Sequence, residues 1–171
     1  MSRQSVEFDL FGVRYETKQF SAIEGMSLLD SLHLVHPTVI LKLTNVVLDD
    51  GTTRRLNYNN IKSFVVDKAG NLPPKNVMEG LKNMVIQYSF GFLDEWERIN
   101  IPHRFLSDAK TITPKNYEPM TSQLIQEGMA SLMELETYYS LEDAFKMFDL
   151  LTIKTVNQAL AQEKAESDNK R

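Results

Sequence analysis

Residues 120–162 read MTSQLIQEGMASLMELETYYSLEDAFKMFDLLTIKTVNQALAQ, and their apolar spacing predicts two short helices followed by a long one. Gly128 separates the first two, and the pair Tyr138-Tyr139 precedes the third. The long helix has a defined start. Ser140 stands just before the apolar run with Asp143 three residues on, so a serine cap and early acids meet the positive end of the helix dipole. Leu141, Ala144, Phe145, Phe148, Leu151, Val156, Ala159 and Leu160 then recur at helical spacing as one apolar face. Glu142, Lys146, Asp149, Asn157 and Gln158 fall largely on the other side.

Met147, Leu150 and Ile153 follow at three-residue steps and widen that stripe beyond one core contact. Two accounts fit. Either the helix is sandwiched between two others, or the second strip receives another protein. Burying three such side chains contributes roughly 4 to 9 kcal/mol before ordering costs. A micromolar complex needs about 8 kcal/mol net, so the strip is at most part of a larger site. Tyr138 and Tyr139 fit an interface as well as a helix–helix joint, because both settings bury a ring and leave a hydroxyl in water.

Composition narrows the function classes. The 171 residues suit one domain, or a small domain with a helical appendage. Hydrophobic content of 42% and charged content of 25% are those of an ordinary globular chain. A net charge of −4 carries no basic stripe, which argues against nucleic acid; Arg54-Arg55 is too short to supply one. Cysteine is absent, excluding disulfides, thiolate metal sites and cysteine nucleophiles. The opening MSRQSVEFDLFGV lacks the apolar core and small-residue cleavage site of a signal peptide. No run approaches the roughly 20 apolar residues of a membrane span. A cytoplasmic protein is expected, with no membrane partner.

Along the chain, Val6, Phe8 and Leu10 alternate with acids, Gly12 supplies a turn, and Val13, Tyr15 and Thr17 alternate again, which predicts a β-hairpin. Ser21-Ala-Ile-Glu24 reads as a capping box launching a helix through Met26, Leu28, Leu29, Leu32 and Val35, with Pro37 as its stop. Residues 38–48 suit helix by spacing and strand by β-branching; a helix-like segment breaking at Asp49-Asp50-Gly51 is favoured. Residues 52–67 are mixed, and Ala69 to Pro74 is a loop because two prolines continue neither regular structure. A second strong helix spans Asn76 to Phe92, with Val77, Leu81, Met84, Val85, Tyr88 and Phe92 on one face.

The expected fold is α+β and helix-dominated: an N-terminal β-hairpin packed on helices, then a C-terminal helical hairpin or bundle. The parts are residues 1–100, a proline-containing connector at 101–119, a helical part at 120–162 and a charged tail at 163–171 expected to be flexible.

Little chemistry is legible. There is no Walker loop, Rossmann glycine pattern or zinc-protease helix. His33 and His36 lie three apart, yet no nearby carboxylate or cysteine completes a first shell, so histidines at the negative end of a helix are the simpler account. Asp94, Glu95 and Glu97 beside Trp96 read as a solvated helix end, and Asp49-Asp50-Gly51 as a turn rather than a calcium loop. No catalytic residue, metal site or cofactor is expected.

One resemblance adds to this. Leu124-Ile-Gln-Glu-Gly128, Ala130-Ser-Leu132, Glu136-Thr-Tyr-Tyr-Ser-Leu-Glu-Asp143 and then Leu151 resemble the C-terminal part of the tail assembly chaperones of tailed bacteriophages. Thr17, Gln19, Phe20, Ser21 and Ala22 match the same family where a hairpin feeds a helix; family members usually have proline in place of Ser21, and Gly25 sits early in the helix here. The resemblance implies a non-catalytic binding protein that coats the tape-measure protein, keeps it soluble and recruits tail-tube subunits during morphogenesis. The contact candidates are Leu141, Phe145, Met147, Phe148, Leu150 and Ile153, with Tyr138 and Tyr139 beside them. Homo-oligomerisation stays open. The alternative is a structural baseplate or tail-completion subunit of the virion.

Overall fold

Strands β1 (Ser5–Leu10) and β2 (Val13–Lys18) form the expected hairpin, closed by Phe11 and Gly12 at φ 52° and 80°. Two consecutive left-handed residues make the tight turn whose twist matches paired strands, and glycine takes the second place without a Cβ penalty. The structure is a computed structural model describing residues 3–32, 34–105 and 114–169.

The hairpin is half of a larger sheet. Strands β3 (Thr44–Val47) and β4 (Thr53–Arg55) extend it to four antiparallel strands in the order β1-β2-β3-β4. The expected helix-like segment at 38–48 is therefore corrected. Only α2 (Pro37–Ile40) and one tight turn at Leu41–Leu43 are helical before the chain becomes strand. Pairing with β2 decides the matter: Tyr15 stands opposite Val46 and Thr17 opposite Thr44. The two threonine hydroxyls meet at 2.9 Å in the interior, and such cross-strand contacts outweigh weak local propensity. Asp49-Asp50-Gly51 is the β3–β4 turn; the Asp50 carboxylate accepts from the Thr52 N–H and hydroxyl.

Helix α1 (Ala22–Leu29) begins on Ser21, whose hydroxyl accepts from the Glu24 N–H. It ends at Leu29 instead of continuing through Leu32 and Val35. Pro37 does not stop it but opens α2 at the first helical position, where the missing N–H has no partner to lose. His36 caps the start of α2, its Nδ1 2.8 Å from the Thr38 hydroxyl, so it does not stand at a negative helix end; His33 lies outside the described residues. The expected capping box at Ser21 is only half made, since Glu24 turns to Lys42 at 2.8 Å and Arg3 at 3.8 Å. Burial pushes the Glu24 carboxyl up, but the Lys42 hydrogen bond and charge, joined by Arg3, outweigh it and hold the group below its ordinary value.

After the short α3 (Ile61–Phe64), the 69–74 loop is shaped by the Asp67 carboxylate, which accepts from the N–H groups of Ala69, Asn71 and Leu72. Helix α4 (Pro74–Phe90) starts two residues earlier than read, again with proline in its first turn, and one tighter turn continues to Glu95. Val77, Leu81 and Val85 bury its core face, while Met84 stays exposed.

The C-terminal helices are α5 (Pro119–Gln126), α6 (Leu132–Thr137) and α7 (Leu141–Asp168). Ser131 with Glu134, and Ser140 with Asp143, each form a complete capping box. Helix α7 does not end near Gln162 but runs on to Asp168. The chain is thus α+β with helix dominant.

Two apolar cores result, one under the sheet and α4, the other among α5, α6 and α7. They interlock: Leu141 of α7 belongs to the first, Ala22 of α1 to the second. Backbone bonds reinforce the seam, from the Ala22 N–H to the Tyr139 carbonyl and from the Arg3 N–H to the Tyr138 carbonyl, both 2.9 Å.

Gly25 is what lets α1 approach α7 there. A Cβ at this position would stand 3.0 Å from the Leu141 Cβ, an atom that moves only with its backbone. Gly25→Ala is expected to destabilise the protein by about 1–3 kcal/mol, because overpacking exceeds the helix-propensity gain of roughly 0.5–1 kcal/mol. Urea unfolding measures this, and an alanine variant as stable as the original chain would refute the close packing.

Candidate docking surface

Helix α7 has 28 residues, a length of about 42 Å at 1.5 Å per residue. Its first three turns lie in the body of the protein, with Leu141, Ala144 and Leu151 buried. From Asn157 onward nearly every side chain is exposed, so the C-terminal part of the helix stands in solvent. Glu142–Lys146 and Gln162–Glu166, each four residues apart, bond along its surface.

One side of α7 borders a groove of about 550 Å³. Its apolar wall comes from Ile101 and Phe105 of the connector and from Phe148, Leu151, Val156 and Ala159 of α7. Thr152 and Thr155 also line it, their hydroxyls donating to the carbonyls of Phe148 and Leu151 at 2.9 Å. Gln123, Gln126 and Glu127 of the α5 end form its polar side. Arg104, over the Phe105 ring, reaches Glu163 at 3.3 Å and ties the connector to α7.

The contact candidates divide into three sets. Leu141 is 1% exposed and is a core residue, unable to reach a partner from the folded state. Phe145, Met147 and Phe148 are half-buried against the protein's own cores; Phe145 makes edge-on contacts with Phe92 and Trp96, each with ring centroids 5.5 Å apart. Leu150 and Ile153 are exposed, at 62% and 44%. Three-residue steps turn a helix by about −60° each, so Met147, Leu150 and Ile153 spiral round α7 and form no straight strip with Phe148. Leu150 sits about 160° round the helix from Phe148. Leu160, 37% exposed, instead continues the side of Ile153. Burial pushes the carboxyl of Asp149, next to Leu150, above its ordinary value.

Tyr138 is exposed and Tyr139 half-buried, and their rings meet edge-on at 5.0 Å. Both serve the seam through their carbonyls. The groove residues Ile101 and Phe105 had no signal in sequence, because the connector has no apolar period.

Among the described residues no group of three or more His, Asp or Glu is placed to hold a metal, and no helix is long and apolar enough to cross a membrane. Compared with known proteins, the chain matches no family model, no curated protein and no solved structure.

Proposed function

We propose that this protein is a non-catalytic tail assembly chaperone of a tailed phage, acting in the host cytoplasm. It binds an apolar helical segment of the tape-measure protein and helps recruit tail-tube subunits. The reading rests on the sequence resemblance and on one structural observation: Leu150, Ile153 and Leu160 are exposed within about 80° of one another on α7, a helix whose C-terminal part stands in solvent. A partner helix laid along that side would cover apolar surface that costs free energy in water.

Co-expression with the tape-measure-like protein encoded nearby tests the reading. The partner is expected to become soluble and to co-purify. Leu150→Asp combined with Ile153→Asp is expected to abolish capture while leaving the melting temperature unchanged, because both positions are exposed. Phe148→Asp is unsuitable, since it would charge a residue packed on the second core. If the partner's solubility does not change and the chain is retained in purified particles, the protein is instead a baseplate or tail-completion subunit.

A further inference from the structure

Strand β1 is an outer strand of the sheet. The two-residue turn makes Leu10 and Val13 a hydrogen-bonded pair, and alternation along an antiparallel ladder then turns the N–H and C=O groups of Phe8 and Val6 toward β2 as well. The bond from the Gln19 N–H to the Gln4 carbonyl, 3.0 Å, keeps the same phase at the next pair. The backbone groups of Ser5, Glu7 and Asp9 therefore point away from the sheet, and no backbone bond among the described residues reaches them. Such a row is a template for another strand.

Charge and geometry select the occupant. The side chains of Glu7 and Asp9 are exposed, while Val6, Phe8 and Leu10 on the other face are half-buried. Asp9 faces Arg14 at 3.6 Å, but Glu7 stands opposite Glu16, which takes a hydrogen bond from Asn45 at 3.1 Å. Glu7 thus has a like charge across the strand pair and forms no ion pair among the described residues. A second copy pairing through its own β1 would set Glu7 against Glu7 or Asp9, a repulsive arrangement. A copy offering β4 would offer three residues, with the Arg55 carbonyl already bonded by Asn60 at 2.9 Å.

We propose that the outward-facing edge of β1 accepts an extended segment of another protein as an added antiparallel strand. That segment carries Lys or Arg opposite Glu7 and Asp9 and apolar side chains on its other face. The backbone supplies the hydrogen bonds, the acids select the partner and the half-buried apolar row is covered. This site is separate from α7 and does not depend on the chaperone reading.

The test uses the full chain and two capped eight-residue peptides, one alternating lysine with valine and the other glutamate with valine. NMR titration is expected to show at least tenfold tighter binding of the lysine peptide. Amide exchange is expected to slow at Ser5, Glu7 and Asp9, with Val6, Phe8 and Leu10 unchanged. Glu7→Lys is expected to reverse the preference between the peptides. Glu7→Pro removes one outward N–H, spares the β1–β2 ladder and is expected to weaken binding at least tenfold. Should the proline variant unfold, the charge reversal and the exchange pattern of the unaltered chain still decide. Equal affinity for both peptides, no binding at millimolar peptide, or protection on another surface overturns the proposal.

Discussion

Leu141→Ala is expected to lower the unfolding free energy by about 3–5 kcal/mol, the range for emptying a leucine-sized space in a core that cannot close over it. Leu141 is the first residue of α7 and is almost completely buried. The preceding Ser140 is held both by its capping box with Asp143 and by a backbone bridge to Ser21. Those restraints keep α1 and α7 from moving together after truncation, so most of the cavity remains. Leu150→Ala on the same helix is expected to cost less than about 0.5 kcal/mol, since that side chain is mostly in water. Urea unfolding of the two variants separates a core role from a surface one, and equal losses would sink the assignment. Gly25→Ala gives a further check. Its nearest obstacle is the Leu141 Cβ, which alanine retains, so the glycine replacement should stay destabilising in the Leu141→Ala background.

Leu141 also shows where reading a sequence stops. Helical spacing correctly set Leu141, Ala144, Phe145, Phe148 and Leu151 on one side of α7, and Ser140 marked its start. Periodicity identifies an apolar face but does not say whether the protein itself or a second one covers it. Leu141, chosen as a contact, is covered by α1; Leu150 and Ile153 are left exposed. The hairpin was legible because alternation and Gly12 agree. Residues 38–67 were not, because their elements are three or four residues long and form through pairing with β2 and packing on α4. Pro37 and Pro74 look like breaks in the sequence, yet each stands in the first turn, the one place in a helix where proline fits. The outer place of β1 in the sheet needed the strand order, which no local pattern reports.

The second large effect lies at alkaline pH. Tyr15 has no exposed surface; its ring packs by Phe8 and its hydroxyl donates to the Phe64 carbonyl at 2.8 Å. Burial pushes its phenol from 10.0 up to about 12. A group whose pKa is raised on folding contributes stability that is complete below its unfolded value and is lost as pH rises through its folded value. Stability should therefore fall between pH 10 and pH 12, by up to about 2.7 kcal/mol from this residue alone. Tyr15→Phe removes that dependence at the cost of a hydrogen bond worth about 1 kcal/mol at neutral pH. The informative quantity is the stability difference between the two proteins, in which the contributions of groups common to both cancel. Urea unfolding from pH 8 to pH 12 is expected to show the original chain more stable at pH 8, with its advantage shrinking above pH 10 and then reversing. A difference that stays constant across that range would mean that Tyr15 ionises as freely in the fold as in the unfolded chain, which its buried bond to the Phe64 carbonyl forbids.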